Sequence, residues 1–253
     1  MPNADHGHPG NFLLAELEKA AAAGGTSAAE AAWNIPRTLT VATSPAWPPE
    51  PYHAASRPTL AWDVDGILAF TAEAIVAALN ARFDTGYDAM SQGFFPGTFV
   101  SSALPAEEAA WLGQQLSSGE FGIYGACAPD WHAIDTMLDA SAAGYPTVII
   151  TERPAVVADQ TRSWLRSWTG QQPPQVVAVG RGNKPAYMGA RFGPGNPAIL
   201  VDDNPAVRMT IAREGIEVWT PQRPYTPAPG RPHARTFGNW PAARYWLGIS
   251  PAS

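Results

Sequence analysis

Short apolar runs that stop on polar residues, with helical spacing between them, constrain this chain more than any other feature. Thr59-Leu60-Ala61-Trp62 runs into Asp63, and Pro146-Thr147-Val148-Ile149-Ile150 ends at Thr151. Val176-Val177-Ala178-Val179 leads into Gly180-Arg181-Gly182-Asn183-Lys184, and Ala198-Ile199-Leu200-Val201 ends at Asp202-Asp203. Ile216-Glu217-Val218-Trp219 reads as a further strand. Between these runs the apolar residues recur every three or four positions, which is helical spacing. Segment 72–83 places Ile75, Val76, Leu79 and Phe83 on one side, and 131–142 does so with Ile134, Met137 and Leu138 before ending at Ala143-Gly144. Segment 156–168 turns Trp164, Leu165 and Trp168 inward, and 207–215 closes on Gly215. A helix from Pro105 to about Leu116 opens with Pro and the acids Glu107 and Glu108, which suit a first turn. Continuous apolar strands alternating with helices predict a parallel sheet covered on both faces.

The expected class is therefore α/β, a Rossmann-like parallel sheet flanked by helices, and 253 residues suffice for one large domain or a domain with an insertion. With 45% hydrophobic and 15% charged residues the chain is globular rather than disordered or fibrous. A net charge of −6 argues against a general polyanion binder. The one cysteine, Cys127, excludes an internal disulfide framework and a multi-cysteine zinc site. No stretch approaches the ~20 apolar residues of a membrane helix. The early apolar run 12–23 is broken by Glu16, Glu18 and Lys19, so it is no secretory signal, and the default location is cytoplasmic. Residues 1–57 read as an N-terminal extension with helices at about 11–23 and 28–33 and a strand at 38–43, carrying no chemistry. Residues 221–253, with seven prolines, read as a surface tail.

Ligands of parallel sheets bind beyond the carboxyl ends of the strands. The residues that terminate the strands here are Asp63, Thr151, the 181–184 loop, and Asp202 with Asp203. Each taken singly has a bland reading: Asp63-Val64-Asp65-Gly66 as a turn, Thr151 as a strand residue, Asp202-Asp203 as a helix cap. Lys184 resists one, because the chain uses only two lysines, Lys19 and Lys184, against fourteen arginines. A compact point charge is the property an Arg would not supply.

Together these residues fit one device. Asp63 serves as a carboxylate nucleophile toward phosphorus, and Asp65 gives a proton to the leaving oxygen and later takes one from water. The intervening turn offers backbone N–H groups to phosphate oxygens, with the Thr151 hydroxyl and Lys184 ammonium on the rest. Carboxylates gathered this way need a cation, and hard oxygen ligands suit Mg²⁺.

These four motifs, in this order, resemble those of the haloacid dehalogenase-like phosphatases over about residues 58–220. The resemblance rests on Asp63-Val64-Asp65-Gly66, Val148-Ile149-Ile150-Thr151, Asn183-Lys184-Pro185 and Ile199-Leu200-Val201-Asp202-Asp203. It implies Asp63 as nucleophile, Asp65 as general acid/base, and Thr151 and Lys184 as phosphate clamps. It also implies Mg²⁺ on the Asp63 carboxylate, the Asp65 carbonyl and one of Asp202 and Asp203. Asp203 is favoured as the direct ligand, with Asp202 bonded to Lys184. Ile67 stands where that family often has Thr.

The 85 residues between Asp65 and Thr151 exceed one crossover. Their excess, 72–135, resembles the small helical cap of nucleotidase-like members, leaving 58–71 and 136–220 as the core. The stretch from Phe121 to Thr151 resembles the deoxyribonucleotidases, which implies a 5′-nucleotidase acting on small (deoxy)nucleoside monophosphates. Phe94, Phe95, Phe99, Trp111, Phe121 and Tyr124 are cap aromatics that could stack on a base, although such rings also build a cap's own core, and Phe70 is the ring expected to touch substrate. A second resemblance is to the phosphatase module of polynucleotide kinase-phosphatases, carried by Thr151-Glu152-Arg153-Pro154, Thr161, Trp164-Leu165 and Arg181. It implies a nucleic acid 3′-phosphate as substrate, with Glu152 nearby and Arg153 and Arg181 gripping phosphates. A non-catalytic binding protein on the same fold is the remaining expectation, although Asp63, Asp65 and Lys184 are all present. Oligomeric state is not legible.

Overall fold

A computed structural model describes residues 57–89, 104–119, 122–223 and 232–249. The expected helices at 11–23 and 28–33, the strand at 38–43 and the rings Phe94, Phe95, Phe99 and Phe121 lie outside the described residues. Strand β1 (Thr59–Trp62) is followed by α1 (Thr71–Phe83), α2 (Ala106–Ser118), the one-turn α3 (Ile123–Ala126) and α4 (Trp131–Ala142). Then come β2 (Thr147–Thr151), α5 (Ala158–Thr169) after a 3₁₀ turn, β3 (Gln175–Ala178) and α6 (Lys184–Arg191). The chain continues through β4 (Ala198–Val201), α7 (Pro205–Arg213), β5 (Glu217–Pro221), β6 (Ala234–Phe237) and α8 (Trp240–Trp246).

The six strands lie in the order β3-β2-β1-β4-β5-β6, and every pairing is parallel. The expected α/β fold is thus the observed one. The chain builds outward from β1 to β3 on one side, then returns to lay β4 on the other side of β1. That reversal makes the crevice beside the carboxyl end of β1 the topological switch point, where open α/β sheets bind ligands.

Alternation along the strands divides the core. Leu60 and Trp62 of β1, Ile149 of β2, and Ile199 and Val201 of β4 face a cluster shared with α1, α2, α4, α5 and α8. Ala61, Ile150 and Leu200 face the opposite cluster, built with Met188 and Phe192 around α6 and Val207 and Ile211 of α7. Each of these fully buried aliphatic side chains contributes roughly 1.5–3 kcal/mol relative to exposure. The helical insert between β1 and β2 shares the first cluster through Ile75, Leu79, Leu112 and Ile123.

Two expectations need correction. Residues 234–247 are no surface tail: β6 pairs with β5, and Phe237, Trp240, Ala243 and Leu247 are buried. The proline count misled, because five of the seven prolines lie at or before Pro232 and Pro241 sits in the first turn of α8, where the ring costs no hydrogen bond. Trp168 is not inward but 39% exposed. It lies at the last turn of α5, edge-on to Trp131 at a centroid distance of 5.4 Å. His132 is exposed, as its helix face implies.

Candidate active site

The first motif turns as it does because its apolar residues are anchored. Val64, Ile67 and Leu68 are fully buried, and the Val64 carbonyl accepts from the N–H groups of Leu68 and Ala69, both at 2.9 Å. The turn so formed carries Asp63 and Asp65 past the sheet edge. Register brings the fourth motif alongside: Trp62 pairs with Val201, so Asp63 and Asp202 leave adjacent strands at the same level. Gly66 has φ +77°, and a Cβ there would overlap the Asp203 carboxylate. Glycine therefore serves twice, for the left-handed backbone and for the close approach of Asp203. The turn is less of an anion nest than expected, since the Asp63 N–H donates to Val201 O and the Gly66 N–H to Ala69 O, both at 2.9 Å.

Lys184 opens α6 and is 1% exposed. Its Nζ lies 2.9 Å from Asp63 Oδ1 and 2.6 Å from Asp202 Oδ2. Burial would lower the lysine's pKa, but Asp202 and Asp63 more than reverse this and raise it. Burial pushes the Asp63 carboxyl well above the ordinary carboxylate range; Lys184 pulls it down, while Asp202, Asp65 and Asp203 push it up. Both Asp202 oxygens are engaged, Oδ1 by the Asn204 N–H at 2.8 Å and Oδ2 by Lys184.

Asp63, Asp202 and Asp203, all buried, offer oxygens within 4.8 Å of one another. One lysine sits against Asp63 and Asp202, leaving net negative charge in a site of hard oxygen donors. Such a set fits a small, hard divalent cation like Mg²⁺ and gives a soft metal nothing to prefer.

Asp65 is held by two side chains from other elements. Arg153 Nη2 lies 2.7 Å from Asp65 Oδ1, and Nε lies 3.1 Å from both oxygens. Thr71 Oγ1, at the start of α1, donates to Oδ1 at 2.5 Å. Burial alone would raise the Asp65 pKa, but Arg153 and then Thr71 bring it below the ordinary value. Arg153 is itself 1% exposed. Its Nη1 donates to Thr161 Oγ1 at 3.2 Å, and its guanidinium lies 4.3 Å from the Tyr124 ring centroid. The expectation that Arg153 grips a substrate phosphate therefore fails in this conformation, because its fork is already occupied by Asp65.

A cavity of about 340 Å³ opens over Asp63 and Asp65. Its wall includes Thr71, Ala72 and Ile75 of α1, Gly113, Leu116 and Ser117 of α2, and Tyr124. Glu152, Arg153, Pro154, Gly180, Arg181 and Asn204 complete it. Glu152 and Arg181 stand at the cavity, with Glu152 Oε1 accepting from the Gly182 N–H at 2.9 Å. Thr151 is fully buried as the last residue of β2 and does not line the cavity; its Oγ1 accepts from the Arg153 N–H at 3.2 Å. Phe70 is half-buried ahead of α1 and is not among the lining residues, whereas Tyr124 is. Trp111 packs edge-on against Phe83 at 5.5 Å within the insert. Sequence reading missed Thr71. A hydroxyl at a helix start six residues after Asp65 was the available signal. Cys127 is buried, with its thiol pushed up to about 11 by burial, and is no nucleophile.

No family model and no curated protein matches the chain. Solved structures do. The fold is similar to that of a haloacid dehalogenase-like family hydrolase from Streptococcus pneumoniae, with TM-score 0.57 and 16% identity over 76% of this chain and 99% of that one. It is also similar to Protein Tyrosine Kinase A from Mycobacterium tuberculosis, with TM-score 0.53 and 17% identity over 76% of this chain and 99% of that one. A dehalogenase matches with TM-score 0.52 and 12% identity, covering 78% of this chain and 99% of that one. At these identities the likeness is one of fold alone, a parallel α/β sheet flanked by helices.

Proposed function

We propose that the chain is a Mg²⁺-dependent phosphomonoester hydrolase working through an aspartyl-phosphate on Asp63. The observation that carries this is the meeting of Asp63 with Lys184, Asp202 and Asp203 at the switch point, under a cavity that Asp65 also lines. A carboxylate nucleophile alone would serve several leaving groups. The extra carboxylates, with room for a hard dication, favour phosphorus, whose oxygens such an ion neutralises.

In this reading the Asp63 carboxylate attacks phosphorus and the bond to the leaving oxygen breaks, that oxygen taking a proton from Asp65. Water then attacks the acyl phosphate, returns a proton to Asp65 and frees inorganic phosphate and Asp63. The Arg153 ion pair favours ionised Asp65, the form that accepts the proton of the attacking water. The proton passed to the leaving oxygen in the first step arrives with the substrate as its phosphate monoanion and is relayed by Asp65. Lys184 balances the charge on Asp63 and approaching phosphate, while Thr151, buried behind the cavity, holds the Arg153 backbone N–H and would reach a phosphate only after rearrangement. Asp63 and Asp203 would hold Mg²⁺ with the Asp65 carbonyl, and the ion would supply charge neutralisation of the transferring phosphoryl group. Asp202, with both oxygens engaged, orients Lys184 instead.

The favoured substrate is a small nucleoside monophosphate. The cavity continues beyond the carboxylates along a mostly apolar wall of Ala72, Ile75, Leu116, Tyr124 and Pro154, which suits the bulk of a leaving group. A nucleic acid 3′ end is less favoured, because Arg153, one of the two cations meant to grip it, is committed to Asp65. Phosphate release with Mg²⁺, with and without chelator, tests the reading on nucleoside 5′- and 3′-monophosphates, sugar phosphates and a 3′-phosphorylated oligonucleotide. Asp63→Asn is expected to fold and lose turnover, and full activity in that variant would remove Asp63 from its role. Preference for the oligonucleotide would reverse the choice of substrate.

A further inference from the structure

The contacts of Arg153 go beyond charge balance. Asp65 Oδ1 takes Thr71 at 2.5 Å and Arg153 Nη2 at 2.7 Å, whereas Oδ2 takes the longer Nε contact at 3.1 Å. Oδ1 is thereby tied to the wall, and Oδ2 keeps the capacity for a further partner. The guanidinium has its own plane fixed by Thr161 on α5 and by the Tyr124 ring on α3. Stability does not explain such an arrangement, since a buried ion pair is often no better than an apolar pair of the same volume. A fork held on three sides explains it as a device for orientation, which Lys with its single rotatable ammonium would not reproduce.

We propose that Arg153 is a positioning residue that orients the Asp65 carboxylate over Asp63, and that Tyr124 of the helical insert fixes the guanidinium for this task. The role rests on the phosphatase reading above, because only there does the aim of Asp65 set the rate. Arg153 acts through Asp65 and not on substrate. The insert thus reaches Asp65 directly through Thr71 at the start of α1 and indirectly through the Tyr124 ring and the guanidinium, without contributing a reacting group.

The kinetic test compares wild type, Arg153→Ala, Arg153→Lys, Asp65→Asn and the Arg153→Ala/Asp65→Asn double variant, using a mononucleotide that the wild type hydrolyses. Misplacing a catalytic group by about 1 Å costs on the order of 100-fold. Arg153→Ala should therefore lose about that factor in kcat with KM within about twofold, and methylguanidinium should restore at least tenfold of it. The double variant should be no slower than Asp65→Asn, because effects acting through one group do not add. Arg153→Lys serves if the Ala variant does not fold, and should lose kcat without raising KM. A raised KM at unchanged kcat, additive losses in the double variant, or wild-type kcat in Arg153→Lys would overturn the assignment. A readout independent of turnover separates this from failure of the phosphatase reading. Crystal structures of the wild type and Arg153→Gln should show the Asp65 carboxylate held in the first and rotated in the second. An unmoved carboxylate in Arg153→Gln would sink the proposal even if no phosphatase activity exists.

Discussion

Lys184→Met removes one ammonium from among the buried carboxylates and keeps the length of the side chain, so little cavity is made. The ammonium lies 2.9 Å from Asp63 and 2.6 Å from Asp202, and its side chain is 1% exposed. Deleting one partner of a buried ion pair costs about 3–5 kcal/mol, mostly because the charge left behind has lost its compensation. For a chain of this size each kcal/mol moves Tm by roughly 2–4 °C, so the metal-free variant should melt roughly 6–20 °C below wild type. Two conditions should repair it. Mg²⁺ at 100 times its Kd returns about 2.7 kcal/mol by mass action, and Asp202→Asn in the same chain removes the most closely held surplus charge. Thermal melts by circular dichroism, in chelator and in Mg²⁺, on wild type, Lys184→Met and Lys184→Met/Asp202→Asn decide the matter. Equal Tm values for wild type and Lys184→Met in chelator would refute the reasoning, as would a second substitution that adds to the damage rather than relieving it.

Gly66→Ala should cost about 1–2 kcal/mol for its left-handed backbone alone and displace the Asp203 carboxylate, so calorimetric titration should show weakened Mg²⁺ binding. Gly113 lies inside α2 with open space where a Cβ would stand, at the cavity wall. Gly113→Ala should therefore stabilise by about 0.5–1 kcal/mol in a chemical melt. Gly113→Phe should lower kcat/KM for a nucleoside monophosphate by more than about tenfold, the cost of a few misplaced contacts at 1.4 kcal/mol per decade. Acetyl phosphate turnover should be spared, and equal losses on both would show that the ring does more than fill space. In chelator, Tm should rise as pH falls through the raised pKa of Asp63, because protonation relieves a penalty present at higher pH. Below the ordinary Asp value of about 4 the stability contributed by ionised Asp65, whose folded pKa is lowered, should then be lost. A Tm that shows no rise on acidification anywhere above about pH 4 would contradict the Asp63 half of this prediction.

The strands and the residues ending them were readable because a parallel strand needs only a continuous apolar run, and a site at its carboxyl end needs a polar stop. Asp63, Thr151, Asp202 and Asp203 obey both rules, and Lys184 stood out against a chain that otherwise spends its cations as arginine. What failed was whatever depended on side chains meeting across the fold. Arg153 and Asp65 are 88 positions apart, and nothing local distinguishes an arginine that grips phosphate from one that grips a carboxylate. Thr71 falls just outside the segment read as a helix, and Phe70 beside it drew attention as the ring just past the nucleophile loop. Ala234–Phe237 was hidden by the prolines that precede it, and Trp168 by an apolar face that ends one turn before the helix does.

The strand order carries a consequence for how the molecule comes to exist. β1 lies between β2 and β4, and Trp62 at its end touches Trp240 with ring centroids 6.1 Å apart. Trp240 in turn meets Phe237 at 4.9 Å. On the ribosome the strand bearing Asp63 is made early, yet its two neighbours appear around positions 147 and 198 and the ring that covers it only at position 240. A nascent chain therefore carries an apolar strand with no partner until about residue 147 and with one open edge until about residue 198, and Asp63 gains its lysine and fellow carboxylates only once residue 203 has emerged. Distant pairings of this kind fold slowly and expose sticky edges while they wait. Until then the growing polypeptide holds every piece of the first motif and none of its surroundings, and so is chemically silent.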